Sequence, residues 1–348
     1  MGIYVTFNQS IQLVSGVSIV VCTYNGRGAM QRLFSHFAAL RIPIGLKWEV
    51  ILTDNASTDG TVEWVEELVS VQDWRFNLKC ICEEKPGLNH AREAGARAAS
   101  HDWILFCDDD NLLRPDYLER WYEVVNSCPG LGAIGGQGVL GDDLVRPDWF
   151  EKYSHSYALG PQATSSGMLP QGSALYGAGL FIFKKPVLQW MDAGLQLMMS
   201  DRKGNSLASG GDLEWCYLLQ LQGFRLYYDE RLVFVHQIRQ DRLIWSYYIK
   251  LKQGIASGVA LLEPYRFLLL KGNTAIAFLL HQTFKTLMAQ VVWYNQKLKL
   301  KFMPADRLSD ESSLGLQILA AKASSYRRFY TASISGFVNL KKFLNAKV

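Results

Sequence analysis

The chain has 348 residues, of which 49% are hydrophobic and 20% are charged. This composition excludes a disordered or collagen-like chain, and the length accommodates one large domain with an accessory region. The formal net charge of +4 conceals an asymmetry, because residues 265–348 contain 13 Lys and Arg but only 3 Asp and Glu. Such a basic tail predicts an anionic partner, and its apolar residues favour a lipid surface over nucleic acid. A soluble helical subdomain with a solvated basic face is the alternative.

The first 115 residues alternate between strand-like and helix-like segments. The predicted strands cover 17–23, 48–53, 78–82 and 103–107, and helical patterns follow up to residue 40, over 61–69 and over 88–99. This rhythm is typical of βαβ units and predicts an α/β fold with a mainly parallel sheet. Because ligands bind beyond the carboxyl ends of such strands, the polar clusters at 23–25, 54–59 and 108–111 are expected to meet in one crevice.

The pattern changes after residue 130. Strands are predicted over 131–139, 175–183, 225–229 and 232–236, helices over 184–193 and 212–222, and long irregular stretches over 141–173 and 194–210. The first irregular stretch is long enough to suggest an acceptor-binding loop or lid. From residue 242 the pattern is helical. We therefore expect an α/β domain over 1–240, with one part at about 17–115 and another at about 130–240, and a helical region over 241–348.

Cysteine spacing and hydropathy bear on the cellular location. The six cysteines are scattered and form no Cys-x-x-Cys pair, so neither a zinc site nor a disulfide framework is expected. A reducing, cytoplasmic compartment and no secretory signal are predicted. The longest hydrophobic candidate, residues 265–280, is interrupted by Arg266, Lys271 and Asn273. It is shorter than the roughly 20 apolar residues of a bilayer span, which predicts a segment that lies on the membrane.

Three consecutive carboxylates follow the fourth predicted strand. Asp108, Asp109 and Asp110 stand next to one another directly after a buried apolar run. Crowded carboxylates repel one another, and a hard divalent cation with oxygen ligands is the usual remedy. A helix N-cap cluster before residue 115 is the alternative. An EF-hand is excluded, because Leu113 occupies the position that requires glycine.

These strand ends carry the motifs of a known family. In chain order they are Val-Ser-Ile-Val-Val-Cys-Thr-Tyr-Asn at 17–25, Asp-Asn-Ala-Ser-Thr-Asp-Gly-Thr at 54–61, Gly-Leu-Asn-His-Ala-Arg at 87–92, the triple aspartate with Pro115, and Gly-Asp-Leu-Glu at 211–214. The chain thereby resembles the family 2 glycosyltransferases with the GT-A fold over about 17–240. The resemblance implies a Rossmann-like sheet flanked by helices, a UDP- or GDP-sugar donor, Mn²⁺ or Mg²⁺, and inverting transfer to a saccharide or lipid-linked acceptor. It also implies that 1–240 is the catalytic domain, with a nucleotide-sugar half at about 17–115 and an acceptor half at about 130–240.

The resemblance also assigns residues to roles. Asp54 would recognise the base, Arg92 the diphosphate, and Asp108 the ribose and metal. The full set implied for donor binding is Thr23, Tyr24, Asn25, Asp54, Asn55, Arg92, Asp108 and Asp109, and the metal ligands would be Asp110 and Asp108 with His236 as a further candidate. Turn and cap roles for Asp54 and Asn55, a surface location for Arg92 and a structural role for His236 are the alternatives.

The general base implied by the resemblance is Asp212. Relatives commonly have an acidic pair before this helix, whereas this chain has Gly211 in the first position. We align Asp212 with the second acid and Glu214 with a supporting acid on the acceptor side; an N-cap role for Asp212 is the alternative. The Gln-x-x-Arg-Trp signature of processive synthases is absent, which favours a single addition. A catalytically silent sugar-nucleotide-binding protein and a nucleotidyltransferase are the rival functions.

Overall fold

One mixed β-sheet forms the centre of the molecule. The computed structural model describes residues 13–142, 144–199, 207–304 and 309–346. In these residues the strands are β1 Gly16–Thr23, β2 Lys47–Asp54, β3 Asn77–Cys82, β4 Trp103–Asp108, β5 Asn111–Leu113, β6 Leu131–Leu140, β7 Gly167–Met168, β8 Leu180–Phe183 and β9 Arg225–His236. Their order in the sheet is β3-β2-β1-β4-β8-β6-β9-β5, and β7 pairs with β9.

Helices cover both faces of this sheet. In the described residues they are α1 Arg27–Ala38, α2 Thr61–Val71, α3 Leu88–Ala98, α4 Tyr117–Ser127, α5 Phe150–Tyr153, α6 Lys184–Asp192, α7 Gly211–Leu221, α8 Trp245–Ser257, α9 Val259–Leu270, α10 Ala275–Lys301, α11 Asp310–Arg328 and α12 Tyr330–Asn345. Every residue of β1 is buried, as expected for a central strand covered on both faces. The predicted α/β fold with a C-terminal helical region is therefore confirmed.

The direction of the strands changes across the sheet. Strands β3, β2, β1 and β4 are parallel, whereas β8 is antiparallel to both β4 and β6. The parallel half brings Thr23 beside Asp54 and Cys22 beside Asp108. The polar clusters at the strand ends are thus neighbours in space, as the sequence predicts.

Two predicted strands differ from the structure. The strand predicted over 175–183 begins only at Leu180. The backbone amides of Tyr176 and Gly177 donate instead to the side chains of Gln162 and Asp212, so they are not available to a sheet. The two strands predicted over 225–236 are one strand, β9.

The first predicted irregular stretch is more ordered than expected. The stretch 141–173 contains α5, β7 and a 3₁₀ turn at Ser154–Tyr157, with residue 143 outside the described residues. In the stretch 194–210, residues 200–206 lie outside the described residues.

The C-terminal region corrects the hydropathy prediction. The apolar segment 265–280 is not one element, because α9 ends at Leu270 and α10 begins at Ala275, with the Thr274 hydroxyl accepting from the Ala277 amide. Helix α10 has 27 residues and is long and apolar enough to cross a bilayer by length and composition. The expectation that no segment reaches that length is therefore wrong for this helix, whose polar residues are dispersed among the apolar ones.

Candidate active site

A cavity of about 850 Å³ lies at the carboxyl ends of the parallel strands. The predicted site residues that line it are Thr23, Tyr24, Asn55, Arg92, Asp108, Asp109, Asp110, Asp212 and His236. Three predicted residues, Asn25, Asp54 and Glu214, are not part of its wall. Helices α8 and α9 contribute Tyr247, Leu251 and Leu262, so residues beyond the predicted domain boundary at 240 help to form the cavity.

The three aspartates have different surroundings. Asp109 Oδ2 accepts a hydrogen bond of 2.6 Å from the Thr23 hydroxyl. Burial and the neighbouring Asp110 raise the pKa of Asp109 to about 7, although the Thr23 hydrogen bond opposes this shift. The triple aspartate is therefore a site of concentrated negative charge, which a cation would relieve.

Asp110 faces two cationic or basic side chains. Its Oδ2 lies 3.4 Å from His236 Nε2 and 3.5 Å from a terminal guanidinium nitrogen of Arg242. Burial opposes protonation of His236, but Asp110, the hydrogen bond to the Tyr157 carbonyl and the charge of Asp108 together raise its pKa. The Nδ1 atom of His236 donates to the Tyr157 carbonyl at 2.9 Å, which directs Nε2 toward Asp110.

The carboxylate and imidazole side chains of the cavity are compatible with a metal ion that also binds phosphate. In the described segments, no group of three His, Cys, Asp or Glu side chains has an arrangement that could hold a metal ion alone. Mg²⁺, however, is commonly held by one or two carboxylates together with substrate phosphates and water. Asp110, with Asp108 and His236 beside it on the cavity wall, fits such a partial set.

The loop after β2 is built by side chains of the predicted donor site. Asn55 Nδ2 donates to the carbonyls of Glu83 and Lys85, and its Oδ1 accepts from the Gly87 amide at 2.7 Å. Asn25 accepts from the Thr58 amide in a similar way. These amide side chains hold the loops around the cavity.

Asp54 retains one unused hydrogen-bond acceptor. Its Oδ2 accepts from the Ser57 amide at 3.1 Å, whereas its buried Oδ1 has no hydrogen-bond partner among the described residues. A buried acceptor without a partner is costly, and a ligand N–H would satisfy it.

Arg92 and Asp212 lie on either side of Gly177. Arg92 is 5% exposed and its guanidinium lies 5.8 Å from the centre of the Phe106 ring, so it is not a surface arginine. Asp212 Oδ2 accepts from the Gly177 amide and Oδ1 from the Leu213 amide, both at 2.9 Å. The carboxylate is therefore held in one orientation on the cavity wall.

Glu214 is a buried structural acid in this arrangement. It is fully buried and accepts from the amides of Met198 and Met199 at 2.6 and 2.9 Å. The Tyr265 hydroxyl of α9 donates to the same carboxylate. These bonds join α7, which carries Asp212, to the segment before residue 200 and to α9.

Several residues that line the cavity are not among the site residues predicted from the sequence. They are Arg242, Tyr176, His155, Tyr247 and Arg266. Tyr176 and His155 lie within residues 130–240, with the Tyr176 hydroxyl 3.4 Å from His155 Nδ1. In the sequence, Arg242 has only the wrong spacing from Gln240 and Trp245 for the Gln-x-x-Arg-Trp signature. Its proximity to Asp110 depends on how β9 and the following turn fold back, which no local pattern shows.

The chain is similar in sequence to known glycosyltransferases. The family model described as glycosyl transferase family 2 matches residues 18–189. The succinoglycan biosynthesis protein ExoO of Rhizobium meliloti is 30% identical over 52% of this chain and 49% of its own length. Glycosyltransferase AglE of Haloferax volcanii is 25% identical over 64% of this chain and 67% of its own length. An uncharacterized glycosyltransferase of Haemophilus influenzae is 29% identical, and the match spans only 37% of its length.

Solved structures are similar over most of their length at low sequence identity. TarS 1–349 of S. aureus is 13% identical with a TM-score of 0.47, covering 96% of this chain and 92% of that one. The mannosyltransferase PcManGT of Pyrobaculum calidifontis, solved with GDP-Man and Mn²⁺, is 19% identical with a TM-score of 0.48, covering 93% and 85%.

Proposed function

This chain belongs to glycosyl transferase family 2, and we propose that it moves one sugar from a nucleotide-sugar donor to an acceptor hydroxyl with inversion. The observation that carries the proposal is the placement of Asp110 and Asp212 on the wall of one cavity. Asp110 and its neighbours offer a negatively charged set for a metal and diphosphate. Asp212 offers an oriented carboxylate for proton transfer.

The donor would occupy the parallel-strand side of the cavity. The unpartnered Oδ1 of Asp54 is suited to an N–H of a nucleotide base. Tyr24, 61% exposed, offers an aromatic face to the base. Arg92 and Arg242 provide positive charge for the diphosphate.

A divalent ion, Mn²⁺ or Mg²⁺, would be held by Asp110 with Asp108 and His236. When bound, it would act as a Lewis acid that stabilises charge on the departing nucleoside diphosphate. Thr23 supports this side of the site through its hydrogen bond to Asp109.

Asp212 would act as the general base. An inverting transfer needs a carboxylate that accepts the acceptor's proton while its oxygen attacks the anomeric carbon. The two backbone amides that bind Asp212 fix its orientation without occupying all of its lone pairs. Glu214 would take no direct part in proton transfer. Its hydrogen bonds would hold α7, the helix that carries Asp212, in place.

The acceptor would enter beside α8 and α9. This wall carries Tyr247, Leu251, Ile255, Val259 and Leu262, an apolar surface suited to an acceptor with a lipid part. A saccharide acceptor could also use Tyr176 and His155, which line the same cavity. We place the reaction on the cytoplasmic side of a membrane, in polysaccharide or glycoconjugate assembly.

The test is a panel of UDP- and GDP-sugars with Mn²⁺, Mg²⁺ or chelator, followed by assignment of the product anomer. The variant Asp212→Asn is expected to lower turnover by about 10²–10⁴-fold while donor binding is retained. Asp110→Asn is expected to raise the metal concentration needed for half-maximal activity. Asp192→Asn, a change of an exposed carboxylate in a surface ion pair, is the matched control.

A catalytically silent binding protein remains the second candidate, because Gly211 replaces the first acid of the pair usual in the family. Nucleotide-sugar binding without turnover for every donor would support that candidate and contradict the proposal. An inverted anomeric product would support the proposal.

A further inference from the structure

Helix α10 exposes an unusual amount of apolar surface. Nineteen large hydrophobic side chains are exposed among the described residues, and nine of them lie on this one helix. They are Ile276, Leu279, Leu280, Phe284, Leu287, Met288, Val291, Val292 and Tyr294. Their spacing of three and four residues places them on one broad face, called here the outer face of α10. An exposed patch of this extent marks an interaction surface.

The opposite face of α10 packs against other helices of the protein. Phe278 stacks on Phe337 of α12 with ring centres 4.4 Å apart, and it also contacts Phe267 of α9. Polar groups on this face are used as well, since Gln290 Nε2 donates to the Ala323 carbonyl at 2.7 Å. Helix α10 is therefore one member of a packed helical layer.

The charges around the outer face favour an anionic partner. Helix α10 contains no Asp or Glu, and Lys297, Lys299 and Lys301 stand at its C-terminal end beside Trp293 and Tyr294. Lys and amphipathic aromatic side chains are typical of helices at the headgroup level of a bilayer. Residues 265–348 have 13 basic and 3 acidic groups, so two copies packed through this region would repel each other.

We propose that the outer face of α10 is a membrane-docking surface that lies in the plane of an anionic bilayer, without crossing it. A crossing helix would have to detach from α12 and expose Gln282, which is fully buried, and Gln290 to lipid. Lying flat, the helix keeps these contacts and buries the outer face at the headgroup–acyl boundary.

This inference deepens the proposed function and rests on it for the nature of the acceptor. Helix α9 separates α10 from the active-site cavity: Val259, Leu262 and Arg266 line the cavity, while Phe267 on the same helix contacts α10. A chain docked through α10 would therefore hold the apolar cavity wall one helix away from the lipid surface. A lipid-linked acceptor could then enter without leaving the bilayer entirely.

The experiment is co-sedimentation of the full chain with vesicles of phosphatidylcholine alone or with phosphatidylglycerol. We expect binding that needs the anionic lipid and that is released by high salt or alkaline carbonate. The double variant Leu280→Glu, Phe284→Glu is expected to lower the partition coefficient at least about tenfold. The matched control is Val71→Glu with Val145→Glu, which adds the same two charges outside α10. These residues are 77% and 76% exposed, and this variant is expected to bind vesicles like the unchanged chain.

Two outcomes would overturn the proposal. Carbonate-resistant insertion would mean that α10 crosses the bilayer. Failure to bind either vesicle would mean that the face does not dock on a bilayer, and a dimer that Phe284→Glu dissociates would then identify a second copy as its partner. Donor turnover is measured separately in detergent-free solution with a soluble acceptor. Loss of turnover with intact vesicle binding would refute the proposed function alone.

Discussion

The amide of Gly177 donates a hydrogen bond of 2.9 Å to Oδ2 of Asp212, which ties the proposed base to the loop before β8. The same glycine lies against Arg92. A Cβ at position 177 would stand 2.6 Å from a guanidinium nitrogen of Arg92 and 3.1 Å from Cβ of Asp212. Gly177 thus lies against both the proposed base and a proposed diphosphate ligand.

Replacing Gly177 with alanine is therefore expected to lower kcat/KM for sugar transfer by about tenfold or more, because a misplaced base loses orientation. The measurement is steady-state transfer at several donor concentrations. Gly315→Ala, in α11 with open space around it, is the control and is expected to leave transfer unchanged while stabilising the fold by about 0.5–1 kcal/mol. Unchanged transfer by Gly177→Ala would contradict this view of the site.

Arg242 is expected to bind the donor diphosphate. Its guanidinium lies on the cavity wall, 3.5 Å from Asp110, and charge-assisted bonds to phosphate are strong. Arg242→Gln should weaken donor binding by about tenfold or more, measured by calorimetry with the nucleoside diphosphate. Arg239→Gln removes an exposed arginine that pairs with Asp241 nearby, and it should bind normally. Equal affinities for the two variants would argue against this role.

The buried pair of Glu214 and Tyr265 is expected to stabilise the fold. Tyr265→Phe removes a hydroxyl that donates to a fully buried carboxylate, so the free energy of unfolding should fall by about 1–3 kcal/mol. Urea unfolding measures the change. Tyr294→Phe, at an exposed position on α10, is the control. A double-mutant cycle with Glu214→Gln should show strong coupling, and additive effects would refute the pairing.

Glu263 is expected to make stability depend on pH. Burial opposes its ionisation, but hydrogen bonds from His281 and Tyr326, with Lys285 nearby, lower its pKa below 4.5. Because the folded-state pKa is lowered, the stabilisation is present above the unfolded value of 4.5 and is lost as pH falls below it. Unfolding free energies measured from pH 7 to 3 should fall more steeply for the unchanged chain than for Glu263→Gln. Parallel curves would contradict this assignment.

The sequence by itself determined the α/β half of the molecule. The β-branched run of β1 and the alternation of strands with amphipathic helices are local patterns, and they predicted β1 to β4 within one or two residues at each end. The meeting of Thr23, Asp54 and Asp108 followed from a general property of parallel sheets, whose carboxyl strand ends share one edge.

Only the tertiary structure decided the contacts between distant segments. Gly177 and Asp212 are 35 residues apart, and Glu214 and Tyr265 are 51 apart, so no periodicity could indicate these pairs. The burial of Glu214 was equally invisible to local patterns. The sequence predicts it as an acid of the site, whereas in the fold it is buried and does not line the cavity. The outer face of α10 could be recognised only once its opposite face was seen packed on α9 and α12, because hydropathy does not say which apolar residues find partners.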